Sequence, residues 1–244
     1  MAKRKKTIIS GPIVEAVIYT PPEPRDGPRA RAEKSRMTTA AQKAINDNCA
    51  RRRLSRLIST NFTWRDLVAT LTYRDGSLPA NRKEARKLMR AFLRKLREVR
   101  RRRGVDLRYI YVTEDKHGEG RLHHHLILNA TGEDVEELRS LWSYGDIVDV
   151  QYVGKHDFDG WAVYLSKEAG DRPNGAQMWT PSRNLKKPIV KYEYVPSDTT
   201  LTPPPGALPL DRKEGGGLYG SFCYIRYRLR DNGGGGGFPM YLDN

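Results

Sequence analysis

The chain is expected to fold as an α+β protein: a ferredoxin-like, split βαββαβ antiparallel sheet with its helices on one face. Three observations carry this expectation. Between residues 67 and 153, apolar runs of strand length alternate with amphipathic stretches of helix length in the order strand, helix, strand, strand, helix, strand. A loop with Gly118 and Gly120 joins the middle two strands as a hairpin. The flanks lack this regularity. A basic, partly disordered or helical arm (1–60) precedes the domain (61–190), and a Pro/Gly-rich extension with one aromatic and basic strand (191–244) follows it. A sheet covered on one face leaves the other for a ligand.

In the arm, Pro21, Pro22, Pro24 and Pro28 favour extended or disordered chain. From Thr38 to Ser59 the composition turns helical and sets Arg51, Arg52, Arg53 and Arg56 beside Leu54, Leu57 and Ile58. Such a basic amphipathic helix suits a phosphate backbone or plain solvent equally. Leu67 to Tyr73 is rich in β-branched residues and is ended by Asp75-Gly76, which makes it the first strand. Asn81 then caps a helix from Arg82 to Arg103, in which Ala85, Leu88, Met89, Phe92, Leu96 and Val99 form the buried stripe. The opposite face is almost wholly Arg and Lys and ends in Arg100-Arg-Arg-Arg103. Basic residues suit the C-terminal end of a helix dipole. So many like charges repel unless an anion neutralises them, so Arg101, Arg102 and Arg103 are expected at nucleic acid.

Leu107 to Thr113 is the second strand and leads into Glu114, and Arg121 to Asn129 is the third. Thr131-Gly-Glu-Asp134 starts a helix that runs to Trp142, with acids in its first turn. Asp146 to Val153 alternates as the fourth strand, and Asp157 is expected to cap a further helix through Lys167. Beyond Gly170, Trp179 to Pro188 reads as a basic loop and Thr200 to Gly217 as flexible chain. Tyr219 to Arg230 interleaves aromatics with arginines. It is either a strand that stacks bases while neutralising phosphates or an ordinary edge strand. The run from Gly233 to Gly237 reads as a linker or tail.

Composition limits the function classes. The 244 residues can bury one sizeable core, and 44 Lys+Arg against 29 Asp+Glu give a net charge of +15. That balance points to a polyanion, nucleic acid or a membrane surface. No apolar segment is long enough to span a bilayer, and Thr7-Ile-Ile-Ser-Gly-Pro12 is too short and interrupted for a signal-peptide core. Cys49 and Cys223 stand far apart, which supports neither a disulfide scaffold nor a cysteine zinc site. The expected setting is a reducing cytoplasm with a nucleic-acid partner.

The chemistry concentrates in His123-His-His125, three of the five histidines. On a strand, His123 and His125 share one face and His124 takes the other, so two imidazoles stand ready as half of a metal site. A solvated histidine run is the alternative. Glu114, across the hairpin, is the best-placed oxygen ligand, ahead of Asp115 and Glu119. Two imidazoles and a carboxylate leave positions on Mg²⁺ or Mn²⁺ for phosphate oxygens, and Zn²⁺ suits the same ligands. Tyr164 and Lys167 lie at i and i+3 on one side of the last helix, with Phe158, Trp161 and Leu165 on the neighbouring side. A phenol attacks poorly unless its phenolate is favoured, and a lysine one turn away can do that or stabilise charge on a phosphate.

Ala69-Thr-Leu-Thr-Tyr73, His123-His-His125 and Tyr164-Leu-Ser-Lys167, in this order and spacing, resemble the three motifs of rolling-circle replication initiators (Rep proteins) of the HUH endonuclease superfamily. The resemblance covers roughly residues 65–190. Ser182-Arg-Asn-Leu-Lys-Lys-Pro188 is similar to a segment that follows the tyrosine helix in phage and plasmid members, which adds Arg183, Lys186 and Lys187 to the expected DNA contacts. Two departures stand out. His124 replaces an aliphatic residue, and a single tyrosine occupies the third motif.

The resemblance implies that Tyr164 attacks a phosphodiester of single-stranded origin DNA, keeps the 5′ phosphate and releases a 3′ hydroxyl primer. His123, His125 and Glu114 would hold the divalent metal. No Gly-x-x-x-x-Gly-Lys-Ser/Thr loop occurs, so a host helicase and DNA polymerase are expected partners, in a bacterial cytoplasm and with no membrane. With one tyrosine, closing the circle calls for self-association or for the return of Tyr164 to its free state. An HUH transposase or relaxase shares this chemistry. A non-catalytic nucleic-acid-binding protein on a ferredoxin-like sheet is the reading from another class.

Overall fold

The computed structural model describes residues 2–21, 40–115, 121–154, 158–166, 178–217 and 220–230. In chain order the first elements are β1 (Lys3–Ser10), β2 (Ile13–Tyr19), α1 (Ala40–Asn61), β3 (Leu67–Thr72) and α2 (Arg82–Arg102). Next come β4 (Tyr109–Glu114), β5 (His123–Leu128), α3 (Asp134–Leu141), β6 (Ile147–Tyr152) and α4 (Phe158–Tyr164). Four strands follow: β7 (Thr180–Pro181), β8 (Ile189–Val195), β9 (Leu208–Gly217) and β10 (Gly220–Arg228). The chain forms two units, residues 39–186 and residues 1–38 with 187–244.

In the first unit the strands lie in the order β6-β3-β5-β4-β7, every neighbour antiparallel. Its first four strands carry the split βαββαβ connectivity that the sequence predicts. The helix α2 starts where expected, because Asn81 accepts a hydrogen bond from Glu84 N at 3.0 Å and Glu84 accepts one from Ala80 N at 3.0 Å. Its stripe of Ala85, Met89, Phe92 and Leu96 packs with Leu138 and Trp142 of the α3 region onto Ala69, Leu71, Leu126 and Leu128.

The helices of the repeat thus share one face, but the other face is not left open. Val68, Ile110 and Ile127 point there, and they are covered by Leu54 and Ile58 of α1 and by Phe158, Ala162 and Leu165 beside α4. Central strands that are apolar on both faces need cover on both. So α1, expected in a separate arm, belongs to this unit, and its leucine–isoleucine stripe is core. Arg52 and Arg53 remain exposed on its outer side.

The C-terminal end of α2 also departs from expectation. Arg100, expected on a basic outer face, is fully buried. It donates to Glu137 (2.9 Å), Asp134 (2.6 Å) and the Asn129 carbonyl (2.8 Å), clasping α2 to α3 and to the end of β5. A guanidinium can be buried here only because three acceptors converge on its donors.

The second unit corrects the picture of two irregular arms. The order β8-β1-β2-β10-β9 joins both ends of the chain in one antiparallel sheet. Residues Leu208–Gly217, expected to be flexible, form β9. Gly215 is a strand residue for a steric reason. A Cβ there would stand 2.7 Å from the Phe222 ring, so its absence lets that ring pack against the strand. The apolar cluster of this unit is Ala16, Ile18, Leu201 and Ile225. The proline stretch, Gly118, Gly120, Asp157 and the final glycine run lie outside the described residues. Among the described residues no helix is long and apolar enough to cross a membrane.

Candidate metal centre and nucleophile

The register of the central hairpin decides the site. Glu114 pairs with His123 and Val112 with His125 across β4 and β5, so Glu114, His123 and His125 project from one face at the end of the sheet. Their ligand atoms all lie within 4.8 Å of one another. Glu114 Oε2 is 3.6 Å from His123 Nε2 and 3.4 Å from His125 Nε2. Glu114 and His125 are buried. The expected oxygen ligand thus stands beside both imidazoles. Asp115 is instead engaged by Arg82 at 2.7 Å, and Glu119 lies outside the described residues.

Each imidazole is held through its other nitrogen. His123 Nδ1 is 3.0 Å from the Arg121 carbonyl, which can only accept, so Nδ1 carries the proton and Nε2 a lone pair. His125 Nδ1 is 3.1 Å from Thr70 Oγ1, across the β3–β5 pairing that places Thr70 opposite His125. His125 Nε2 is buried with no hydrogen-bond partner among the described residues. An unsatisfied buried nitrogen beside a buried carboxylate is costly unless a cation completes it. Two imidazole nitrogens and a carboxylate fit a divalent metal, and the cluster could hold one.

His124 faces the other way and accounts for the departure from an aliphatic residue. It is fully buried, with Nε2 2.7 Å from the Tyr73 hydroxyl and Nδ1 3.0 Å from Thr113 Oγ1. The rings of Tyr73, Tyr111 and Trp142 surround it at 5.6–6.1 Å. Burial, and then the neighbouring His123, His125 and Arg86, push its pKa down to about 3, so it is neutral. Burial likewise raises the Tyr73 phenol. Where β3 ends beside this group, Gly145 allows close approach. A Cβ there would sit 2.6 Å from Tyr73 Cα.

The candidate nucleophile ends α4. Phe158, Ala162 and Leu165 anchor that helix in the core, and Trp161 Nε1 donates to the Val153 carbonyl at 2.9 Å. Tyr164 is thereby turned outward, 41% exposed, with its ring centroid 4.8 Å from that of His125 and 5.6 Å from that of Trp161. The phenol is thus reachable from solvent at the edge of the metal cluster. Arg51 of α1 donates to Ser166 Oγ at 3.1 Å, just past the tyrosine. Sequence reasoning assigned no role to Thr70 or Arg51. Thr70 could have been found from alternation along β3, since it shares a face with Thr72 and Val68. Lys167 lies outside the described residues.

The expected DNA contacts lie elsewhere. Because β5 runs from His123 to Leu128 and Arg100 binds Asn129, the end of α2 is at the opposite end of the sheet, about 20 Å from the cluster. Arg101 and Arg102 are each 75% exposed and share Glu98, whereas Arg103 is held by Glu133 (3.2 Å) and Glu137 (2.9 Å). Arg183 and Lys186 are exposed near that same end. Ser182 N donates to the Tyr109 carbonyl at 2.8 Å, and Lys186 N donates to Asn61 Oδ1 at 2.7 Å. Lys187 is exposed as well.

A family model of replication-associated proteins, of the ORF2 type, matches residues 66–169 of the 244. The matched segment runs from just before β3 to beyond α4 and contains Glu114, His123, His125, Tyr164 and Lys167. The likeness supports a replication-initiator role. Neither the curated proteins nor the solved structures gave a match.

Proposed function

We propose that the chain is a rolling-circle replication initiator of the single-tyrosine HUH type, which nicks and rejoins single-stranded DNA at an origin. The observation that carries this is the meeting of buried Glu114 and His125, half-buried His123 and outward-turned Tyr164 inside the segment that resembles replication-associated proteins. A binding module would gain nothing from a buried carboxylate set between two imidazoles.

In the proposed reaction Tyr164 Oη forms a bond to the scissile phosphorus and loses its proton. The bond from phosphorus to the 3′ oxygen breaks, and that oxygen takes up a proton to leave as a free 3′ hydroxyl. The 5′ phosphate stays on the tyrosine, so the reverse attack rejoins the strand without ATP. Glu114, His123 and His125 would hold Mg²⁺ or Mn²⁺, which when bound supplies Lewis-acid polarisation of the phosphate. Thr70 and the Arg121 carbonyl keep the two imidazoles turned toward one point. Lys167 is assigned the stabilisation of charge on the phenolate or the phosphate. Host helicase and polymerase would unwind and extend in the cytoplasm of a bacterial host. The basic residues Arg101, Arg102, Arg183, Lys186 and Lys187 would hold DNA away from the nick.

The test is incubation of a labelled single-stranded library with Mn²⁺. Cleavage should vanish with EDTA and in His125→Ala, and wild-type cleavage by that variant would sink the metal assignment.

A further inference from the structure

The second unit carries a surface for which nicking has no use. Pairing registers put Tyr192 and Tyr194 of β8 on one face of its sheet, directly beside Lys6 and Arg4 of β1. Tyr19 of β2 and Phe222 of β10, paired with each other, lie on the same face, because Tyr19 also pairs with Arg4. Tyr192, Tyr194 and Phe222 are 52%, 74% and 44% exposed. They lie outside the apolar cluster of Ala16, Ile18, Leu201 and Ile225, which belongs to the opposite face. The Arg4 guanidinium stands 4.6 Å from the Tyr192 ring centroid and the Lys6 ammonium 5.5 Å, so charge is placed on the rings themselves.

The acids are sorted between the two faces. Glu193 and Glu214 sit on the opposite face, where Lys5 (2.7 Å) and Arg212 (2.9 Å) hold them. On the aromatic face Glu15 is buried and accepts from the Tyr224 hydroxyl at 3.1 Å, and Asp211 lies 3.1 Å from Lys213. Arg4 and Lys6 thus stand among exposed rings with no acid as their cross-strand neighbour.

We propose that this face is a second platform, which binds single-stranded DNA without a fixed sequence. A polyanion complements its charge. Exposed rings on a sheet can stack only on bases that are not already stacked in a duplex, and stacking tolerates any base because each has a π-face. The platform lies on other residues than the nicking site and does not rest on that reading.

The test uses the full chain in EDTA, so that no cleavage is possible, and follows a fluorescent oligo-dT probe by anisotropy. Tyr192→Ala with Phe222→Ala should weaken binding by about a hundredfold, roughly tenfold per ring. Tyr192→Leu, which keeps an apolar strand-compatible side chain, should lose its tenfold share with an unchanged far-UV spectrum. Arg4→Gln with Lys6→Gln should flatten the log–log salt slope by about 1.4, about 0.7 per phosphate contact. Wild-type affinity and slope in all these variants would overturn the platform. Equal affinity for a duplex of the same length would overturn the single-strand assignment. Tighter binding of oligo-rU than of oligo-dT would overturn the DNA assignment in favour of RNA.

Discussion

His125 has one nitrogen held by Thr70 and the other buried without a hydrogen-bond partner among the described residues, so at the residue scale Thr70 sets how well a cation is received. Thr70→Val keeps the shape and removes the hydroxyl. Calorimetric titration with Mn²⁺ should show affinity reduced about 10–100-fold, with recovery in Thr70→Ser. His124 supplies a pH dependence of stability. Its pKa is about 3 in the fold against 6.5 for the free side chain. Above pH 6.5 it is neutral in both states and costs nothing. As pH falls toward 3 the unfolded chain takes up a proton that the fold refuses, so stability declines through that window, by about 2 kcal/mol at pH 5. Urea unfolding in EDTA at pH 7 and pH 5 should show this loss, and His124→Asn should show less of it. Both halves of the histidine row were legible in the sequence, because alternation along a strand separates His124 from its neighbours. The role of Thr70 was not, since its partner lies 55 residues away and only the sheet register joins them.

At the scale of elements, the clasp of Arg100 on Asp134 and Glu137 holds α2 against α3, and through them the side of the sheet that backs the histidine strand. Arg100→Leu leaves two buried carboxylates without their cation and should cost about 3–5 kcal/mol in chemical unfolding. Arg101→Gln, on a residue that is 75% exposed, should change stability by less than about 0.5 kcal/mol. Equal effects would contradict the placement of the two. The four arginines look alike in sequence, and only the helical phase against α3 separates Arg100 from the rest. The caps and stripes of α2, and the strands β3 to β6, were legible because their signals are local. β1, β8 and β9 were not. Lys6 pairs with Tyr192 and Tyr19 with Phe222, partners that no local window contains, and the charged start of β1 and the glycines of β9 hide their strand character.

Across the whole molecule, a charge of +15 is divided among several surfaces rather than gathered at the nick. Arg101→Ala with Arg102→Ala should lower the salt slope of single-stranded DNA binding by about 1.4 while leaving cleavage at saturating DNA unchanged, since these residues lie about 20 Å from the metal cluster. A slope equal to wild type would show that the α2 end does not touch DNA. The central claim is that Tyr164 becomes joined to the 5′ phosphate of the nicked strand. Its most direct measurement is mass spectrometry of peptides from a reaction with single-stranded DNA and Mn²⁺, after nuclease trimming. The account predicts a 5′-phosphonucleotide on the peptide containing Tyr164, absent with EDTA and in Tyr164→Phe. An adduct on another residue, or cleavage with no adduct at all, would contradict it.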